Sequence, residues 1–214
     1  RSWIDAAISR WHTYVAKYGE VPPQATYPDA GLDVAEFGKD WNVLCFRYGG
    51  WVPRFDHIWN GMDPDATAIK AMPICVSLDV RKVFVDATGV GAGVAPRMSR
   101  LGCDAQSVKV ASSPTIETES GEFGILRDQL WWSIREWLRT DPGAMLPPDE
   151  ELREELAIPT YHIEGRFIKV MSKDTMKELL GRSPNKADAL GLTFAPEEVY
   201  YAEEGENPMS NYRG

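Results

Sequence analysis

The chain is poor in the residues that build disulfide scaffolds and histidine metal centres. Its 214 residues include three cysteines, Cys45, Cys75 and Cys103, far apart and without a C-x-x-C pair. That pattern argues against a disulfide framework or a structural zinc site and suits a reducing cytosol. The three histidines, His12, His57 and His162, include no H-x-x-x-H pair, so a histidine-rich metal site is not expected either. No apolar run approaches the roughly 18 residues that a membrane-spanning helix needs. No charged-then-apolar signal segment opens the chain, so the reading is a soluble protein with no membrane partner. A G-x-x-x-x-G-K-[ST] loop is missing, which excludes a P-loop ATPase. Positive charge is in deficit as well, and the net charge of −9 argues against gripping nucleic acid over the whole surface. A local basic face, or a carboxylate site neutralised by metal ions, stays compatible with that balance.

What is present is ordinary globular composition, 43% hydrophobic and 26% charged, with eight tryptophans. It fits one domain of fair size, with or without an appendage. Ser2 to Tyr18 repeats apolar residues at i, i+3 and i+4 and predicts an amphipathic helix capped by Ser2 and ended by Gly19. Val21 to Pro28 holds three prolines and reads as a linker. Strands are expected at 30–35, 41–48 and 51–59, the first three antiparallel, then at 82–85 and 105–110. A helix starts at Asp63-Pro64, with Asp63 as N-cap and Pro64 at the first helical position. Further helices are expected at 94–101, 124–139, 149–156, 173–180 and 186–195, with a hairpin turning at Glu164-Gly165. The sum is an α/β class, a mixed sheet flanked by helices. The domains read as a helical leader and linker at 1–28, a body at 29–196 and an acidic, flexible tail at 197–214. Because the chain opens on Arg1 rather than Met, it reads as a fragment or a processed chain.

Three aspartates stand where an apolar residue is expected. Asp33 interrupts Gly31-Leu32-Asp33-Val34-Ala35, Asp86 ends Val83-Phe84-Val85, and Asp188 follows Lys186-Ala187 at the start of a small-residue helix. Buried carboxylates are costly unless a cation neutralises them. If the three converge, they form an oxygen-ligand site for Mg²⁺ or Mn²⁺. Two such ions would clamp the attacking water and the leaving oxygen of a phosphodiester displacement. Taken singly, each has a plainer reading as a turn cap, a strand end or a helix N-terminal residue. The glycines 89, 91 and 93 follow a strand, but Val94 stands where a dinucleotide fingerprint needs its last glycine, so a tight turn explains them. Trp131, Trp132 and Trp137 could stack on bases, but at helical spacing in a leucine-rich stripe they read as core. His57 and His162 read as strand residues without a role.

In these motifs the chain resembles the nuclease domain of the large terminase subunit, the DNA-packaging motor of tailed bacteriophages. Gly31 to Asp40 resembles the first acidic motif, Val85 to Gly93 the second, and Ser183 to Leu190 the third. Phe123 to Trp131 is similar to the helix between the second and third motifs, and Trp3-Ile4 with Arg10-Trp11 is similar to the segment joining motor to nuclease. The resemblance runs through nearly the whole chain, in order.

It implies an RNase H-like nuclease fold with Asp33, Asp86 and Asp188 as catalytic and metal-binding residues. The implied activity is two-metal-ion cleavage of double-stranded concatemeric DNA during genome packaging. Further implied are an N-terminal ATPase domain of the same subunit, a portal and a small terminase as partners, and the cytoplasm of the infected bacterial host as the compartment. One departure is Asn185, where the family often has Asp; an amide supplies an oxygen without charge, which makes it a weaker metal ligand. Lys173 matches an auxiliary lysine before the third motif, suited to holding a scissile phosphate, with a solvated helix face as the plainer reading. Between Arg166 and Lys186 the chain carries its one basic stretch, and Lys173, Lys177, Arg182 and Lys186 are candidate DNA contacts. Other RNase H-like enzymes, of resolvase or transposase type, use similar carboxylates, and a non-catalytic interaction module of a packaging assembly is the reading from a different class.

Overall fold

A computed structural model describes residues 2–23, 27–35 and 40–198. Its frame is a five-stranded sheet in the order β3-β2-β1-β4-β5, made by β1 (Asp29–Asp33), β2 (Asn42–Arg47), β3 (Ile58–Trp59), β4 (Lys82–Asp86) and β5 (Ala105–Val108). The first three strands pair antiparallel, and β1, β4 and β5 run parallel. This is the mixed sheet that the strand order predicted. The central strands are nearly continuous apolar runs because both faces are covered. Ala30, Leu32, Leu44, Phe46, Val83 and Val85 pack on the face shared with α2 (Pro64–Ser77) and α3 (Val94–Arg100). On the opposite face lie α1 (Ser2–Tyr18), α4 (Leu126–Thr140) and, later in the chain, α7 (Asn185–Leu192), packed with Val43, Cys45 and Phe84. Side chains alternate along a strand, so Asp33 falls on the same face as Gly31, which lies against α7.

Several helix ends follow the local chemistry. Asp63 accepts from the Ala66 amide at 2.8 Å and starts α2. Asp149 accepts from the Leu152 amide at 2.9 Å and starts α5 (Glu150–Ala157). Ser172 accepts from the Thr175 amide at 3.1 Å at the head of α6 (Lys173–Leu180), and Gly181 closes that helix in the left-handed region at φ 71°. Trp131, Trp132 and Trp137 are all buried, as their helical spacing suggested.

Other expectations shift. The strand expected over 51–59 shrinks to Ile58–Trp59, because Pro53 has no amide hydrogen for a ladder. Trp51 makes only isolated bridges, to Tyr48 and Met145. The hairpin β7 (Tyr161–Glu164) and β8 (Phe167–Val170) belongs to a second sheet, completed by β6 (Glu122–Phe123), a two-residue strand too short for any periodicity to reveal. The leader helix α1 packs on the body: Ile4 and Ala7 enter the main core, and the buried Trp11 indole donates to the Val52 carbonyl at 3.1 Å. Residues 36–39 of the first motif, and 199–214 of the expected tail, lie outside the described residues. No helix among the described residues is long and apolar enough to cross a membrane.

Candidate metal centre

Asp33 and Asp86 are the last residues of the neighbouring parallel strands β1 and β4. The register pairs Leu32 with Val85, so the two carboxylates emerge side by side at the carboxyl ends of the strands. That edge is where open α/β sheets place their sites. Asp188 comes from the first turn of α7, which crosses β1 at very close range. A Cβ on Gly31 would stand 1.9 Å from the Ala189 carbonyl oxygen, so only glycine admits α7 here. Gly91 does the same for the turn after β4, where a Cβ would meet the Asp86 carbonyl at 2.0 Å. Two glycines therefore set the distances between the three acidic motifs.

The three carboxylates share a cavity of about 120 Å³, lined also by Thr88, Arg127, Trp131 and Lys173. That is room for ions with a few waters. Asp33 is 4% exposed. Burial pushes its carboxyl up to about 7; Lys173 pulls against the rise, while Asp188, Asp86 and Asp40 reinforce it. The Lys173 ammonium lies 2.7 Å from Asp188 Oδ2 and 3.9 Å from Asp33 Oδ1. Burial alone would lower its pKa, but Asp33 and Asp188 more than offset that and hold it charged. The Trp131 indole donates to Asp188 Oδ1 at 3.2 Å, and the Thr88 amide donates to Asp86 Oδ1 at 2.9 Å. Asp188 Oδ2 is buried and, despite the nearby ammonium, has no aligned hydrogen bond. Among the described residues no three acids, histidines or cysteines are drawn together tightly enough to hold an ion as they stand. Lys173, set among the carboxylates, supplies the positive charge in their place.

The remaining candidates are distributed differently. Asn185 lines a neighbouring cleft with Asp40, Glu155 and Ser183, outside the cavity that holds Asp33, Asp86 and Asp188. The structure thus separates it from the three aspartates, although it lies one helical turn before Asp188. Lys177 faces Asp40 at 3.3 Å, Arg182 faces Glu155 at 2.6 Å, and the buried Lys186 faces Asp149 at 2.7 Å and Glu151 at 2.6 Å. Three of the four candidate DNA cations are thus already paired with carboxylates of the chain, and Lys173 lines the cavity, paired with Asp188. Sequence reasoning missed Trp131 as a site residue, because its helical spacing marked it as core and it is both. It also missed Arg127, one turn earlier, and Glu155. The 2%-exposed carboxylate of Glu155 accepts from the Ala187 amide at 2.8 Å and so caps the first turn of α7.

No family model matches the chain, and no curated protein matches it. Solved structures do. The nuclease domain of the large terminase subunit gp2 of bacterial virus Sf6 aligns with a TM-score of 0.69 at 23% identity, over 91% of this chain and 97% of that one. A mutant of that domain with manganese and beta-thujaplicinol aligns with a TM-score of 0.71 over the same shares. The large terminase nuclease from thermophilic phage G20c with bound magnesium aligns with a TM-score of 0.56 at 15% identity, over 81% of this chain and 83% of that one. The chain has the large-terminase nuclease fold. In this RNase H-like fold, the first strand ends at the centre of the sheet with a parallel neighbour beside it. Asp33 and Asp86 occupy those two positions, and a late helix brings Asp188 over them.

Proposed function

We propose that the chain is a divalent-metal-dependent endonuclease that cuts double-stranded DNA during viral genome packaging. The observation that carries this reading is the convergence of Asp33, Asp86 and Asp188, from three separate elements, on one cavity of a large-terminase nuclease fold. The donor set suits a hard cation: all-oxygen ligands, one of them the buried Asp188 Oδ2 without an aligned hydrogen bond. Asp33, Asp86 and Asp188 would hold Mg²⁺ or Mn²⁺, two ions in the leading reading, and such ions neutralise a phosphodiester and acidify water.

The chain's own groups prepare that chemistry. Trp131 fixes the Asp188 carboxylate through Oδ1 and leaves Oδ2 turned to the cavity. The Thr88 amide holds the Asp86 carboxylate through Oδ1. Burial of Asp33 makes its ionisation unfavourable without a cation, so its affinity for one is tied to pH. Lys173 offsets part of the pocket's negative charge and, once displaced from Asp188, can hold a phosphate oxygen as charge develops on it. Double-stranded DNA is the proposed substrate. An ATPase domain of the same subunit, a portal and a small terminase are the proposed partners, in the cytoplasm of an infected bacterium. With net charge −9, the isolated domain should bind DNA weakly and with little sequence preference, since a tethered motor supplies the effective concentration.

The test is nicking and linearisation of supercoiled plasmid by the purified chain with Mg²⁺, Mn²⁺ or EDTA, beside Asp33→Asn. Cutting that requires the metal and disappears in the variant is expected. A folded chain that cuts under neither metal, alone or within the full-length subunit, would sink the nuclease reading.

A further inference from the structure

One cation at the cavity differs from all its neighbours. Lys173, Lys177, Arg182 and Lys186 each lie within ion-pair distance of a carboxylate. Arg127, in the first turn of α4, lines the cavity beside Asp33, Asp86 and Asp188. Among the described residues it has no salt-bridge partner. Its Nη1 donates to the Met171 carbonyl at 2.9 Å, and Nη2 donates to the Met176 sulfur at 3.3 Å, a weak acceptor. The buried Nε has no hydrogen-bond partner at all. Of the five N–H groups of a guanidinium, two are therefore engaged, one of them weakly.

A guanidinium in such a place is costly, and burial lowers its pKa, with Asp188 and Asp128 working the other way. A packing role alone would be served by an apolar side chain of the same length. The indole of Trp131, 5.5 Å from the guanidinium carbon, helps to define the orientation of the fork. A planar fork with spare donors suits two oxygens of a phosphate.

Building on the nuclease reading, we infer that Arg127 is a phosphate-binding residue that seats a backbone phosphate of the DNA strand at the mouth of the carboxylate cavity. Its ligand is a phosphodiester, recognised by charge and shape and independently of sequence. Arg127 then supplies a positive charge that no carboxylate within ion-pair distance already matches, unlike Lys173, Lys177, Arg182 and Lys186.

The experiment is binding of a short fluorescent duplex to the full chain in Ca²⁺, across a series of NaCl concentrations, with gels confirming that the duplex stays intact. Arg127→Gln should weaken binding by about tenfold and flatten the slope of log affinity against log salt by about 0.9, the signature of one lost phosphate contact. Arg127→Lys should keep the slope while losing several-fold in affinity, because it retains the charge but not the fork. An unchanged slope in folded Arg127→Gln, or full affinity in Arg127→Lys, would reduce Arg127 to a tie between α4 and the Met171 segment. Should Arg127→Gln not fold, the Arg127→Lys arm decides alone. Wild-type protein that cuts plasmid beside an unmoved slope overturns the phosphate role only. Wild-type protein with neither metal-dependent binding nor cutting overturns both readings.

Discussion

Two buried acids, Asp33 and Glu155, sit on either side of α7 in contrasting company. Glu155 is fully engaged: Oε1 is 2.6 Å from Arg182 Nη1, and Oε2 is 2.8 Å from the Ala187 amide. Burial pushes it up to about 8, opposed first by the Ala187 amide and then by Arg182. Since both oxygens face donors, a bound proton would have no acceptor to serve, and the carboxylate is the form these contacts fit. Asp33 meets other carboxylates instead, Asp188 and Asp86, and its cation stands 3.9 Å away. The difference separates an ionic cluster built to hold a helix from one that leaves negative charge for something else to neutralise.

The sharpest way to break this contrast is to make similar edits in both places. Glu155→Ala should destabilise the chain by about 2 kcal/mol, since it leaves the buried Ala187 amide unpaired and takes from Arg182 its nearest carboxylate, while Glu151 and Glu154 still face the guanidinium. Asp33→Asn should instead raise stability in EDTA near neutral pH by about 1 kcal/mol, because it removes a buried charge. Urea unfolding of both variants decides it, and shifts of the same sign would mean that the two clusters are alike.

A second expectation uses pH. Asp33 ordinarily ionises near 3.8 but is held up to about 7 in the fold, so between those values the native state keeps a proton that the unfolded chain releases. The stability it contributes is therefore present below about pH 4 and lost as pH rises through about 7. In the proposed metal centre a divalent cation would take the proton's place. The rise in melting temperature with Mg²⁺ should be small at about pH 5.5, several degrees at about pH 8, and absent in Asp33→Asn. An increment independent of pH would detach the metal from Asp33.

Lys173 sharpens the comparison from the other side. Its side chain is 37% exposed, so water screens part of its worth. Lys173→Ala should lower stability in EDTA by about 1 kcal/mol, and Mg²⁺ should restore it. Failure of the metal to rescue, read by the same melts, would make Lys173 a purely structural tie. The smallest effect belongs to Asn185, which lines the other cleft. Asn185→Ala should change Mn²⁺ affinity by less than about twofold, because no ligand is lost. A larger loss by calorimetry would return Asn185 to the metal centre.

Much of this architecture was legible in one dimension. Strand order, the helix cap at Asp63, and the polar interruptions at Asp33, Asp86 and Asp188 are local signals: periodicity, φ restriction and the cost of a buried charge. Glycine 31 was visible as a residue but not as a cause, since its role depends on Ala189, far along the chain. The basic stretch before Asp188 looked like one surface because its composition is local. Its partners, Asp40, Asp149, Glu151 and Glu155, are remote, and they pair three of those cations. Sequence by itself thus determined which elements form and which acids are out of place, because those follow from neighbours along the chain. Only the tertiary structure decided which acids share a cavity, which cations are already taken and that Arg127 is left with donors to spare. Charge pairing and close packing act through space, over distances that sequence separation does not encode.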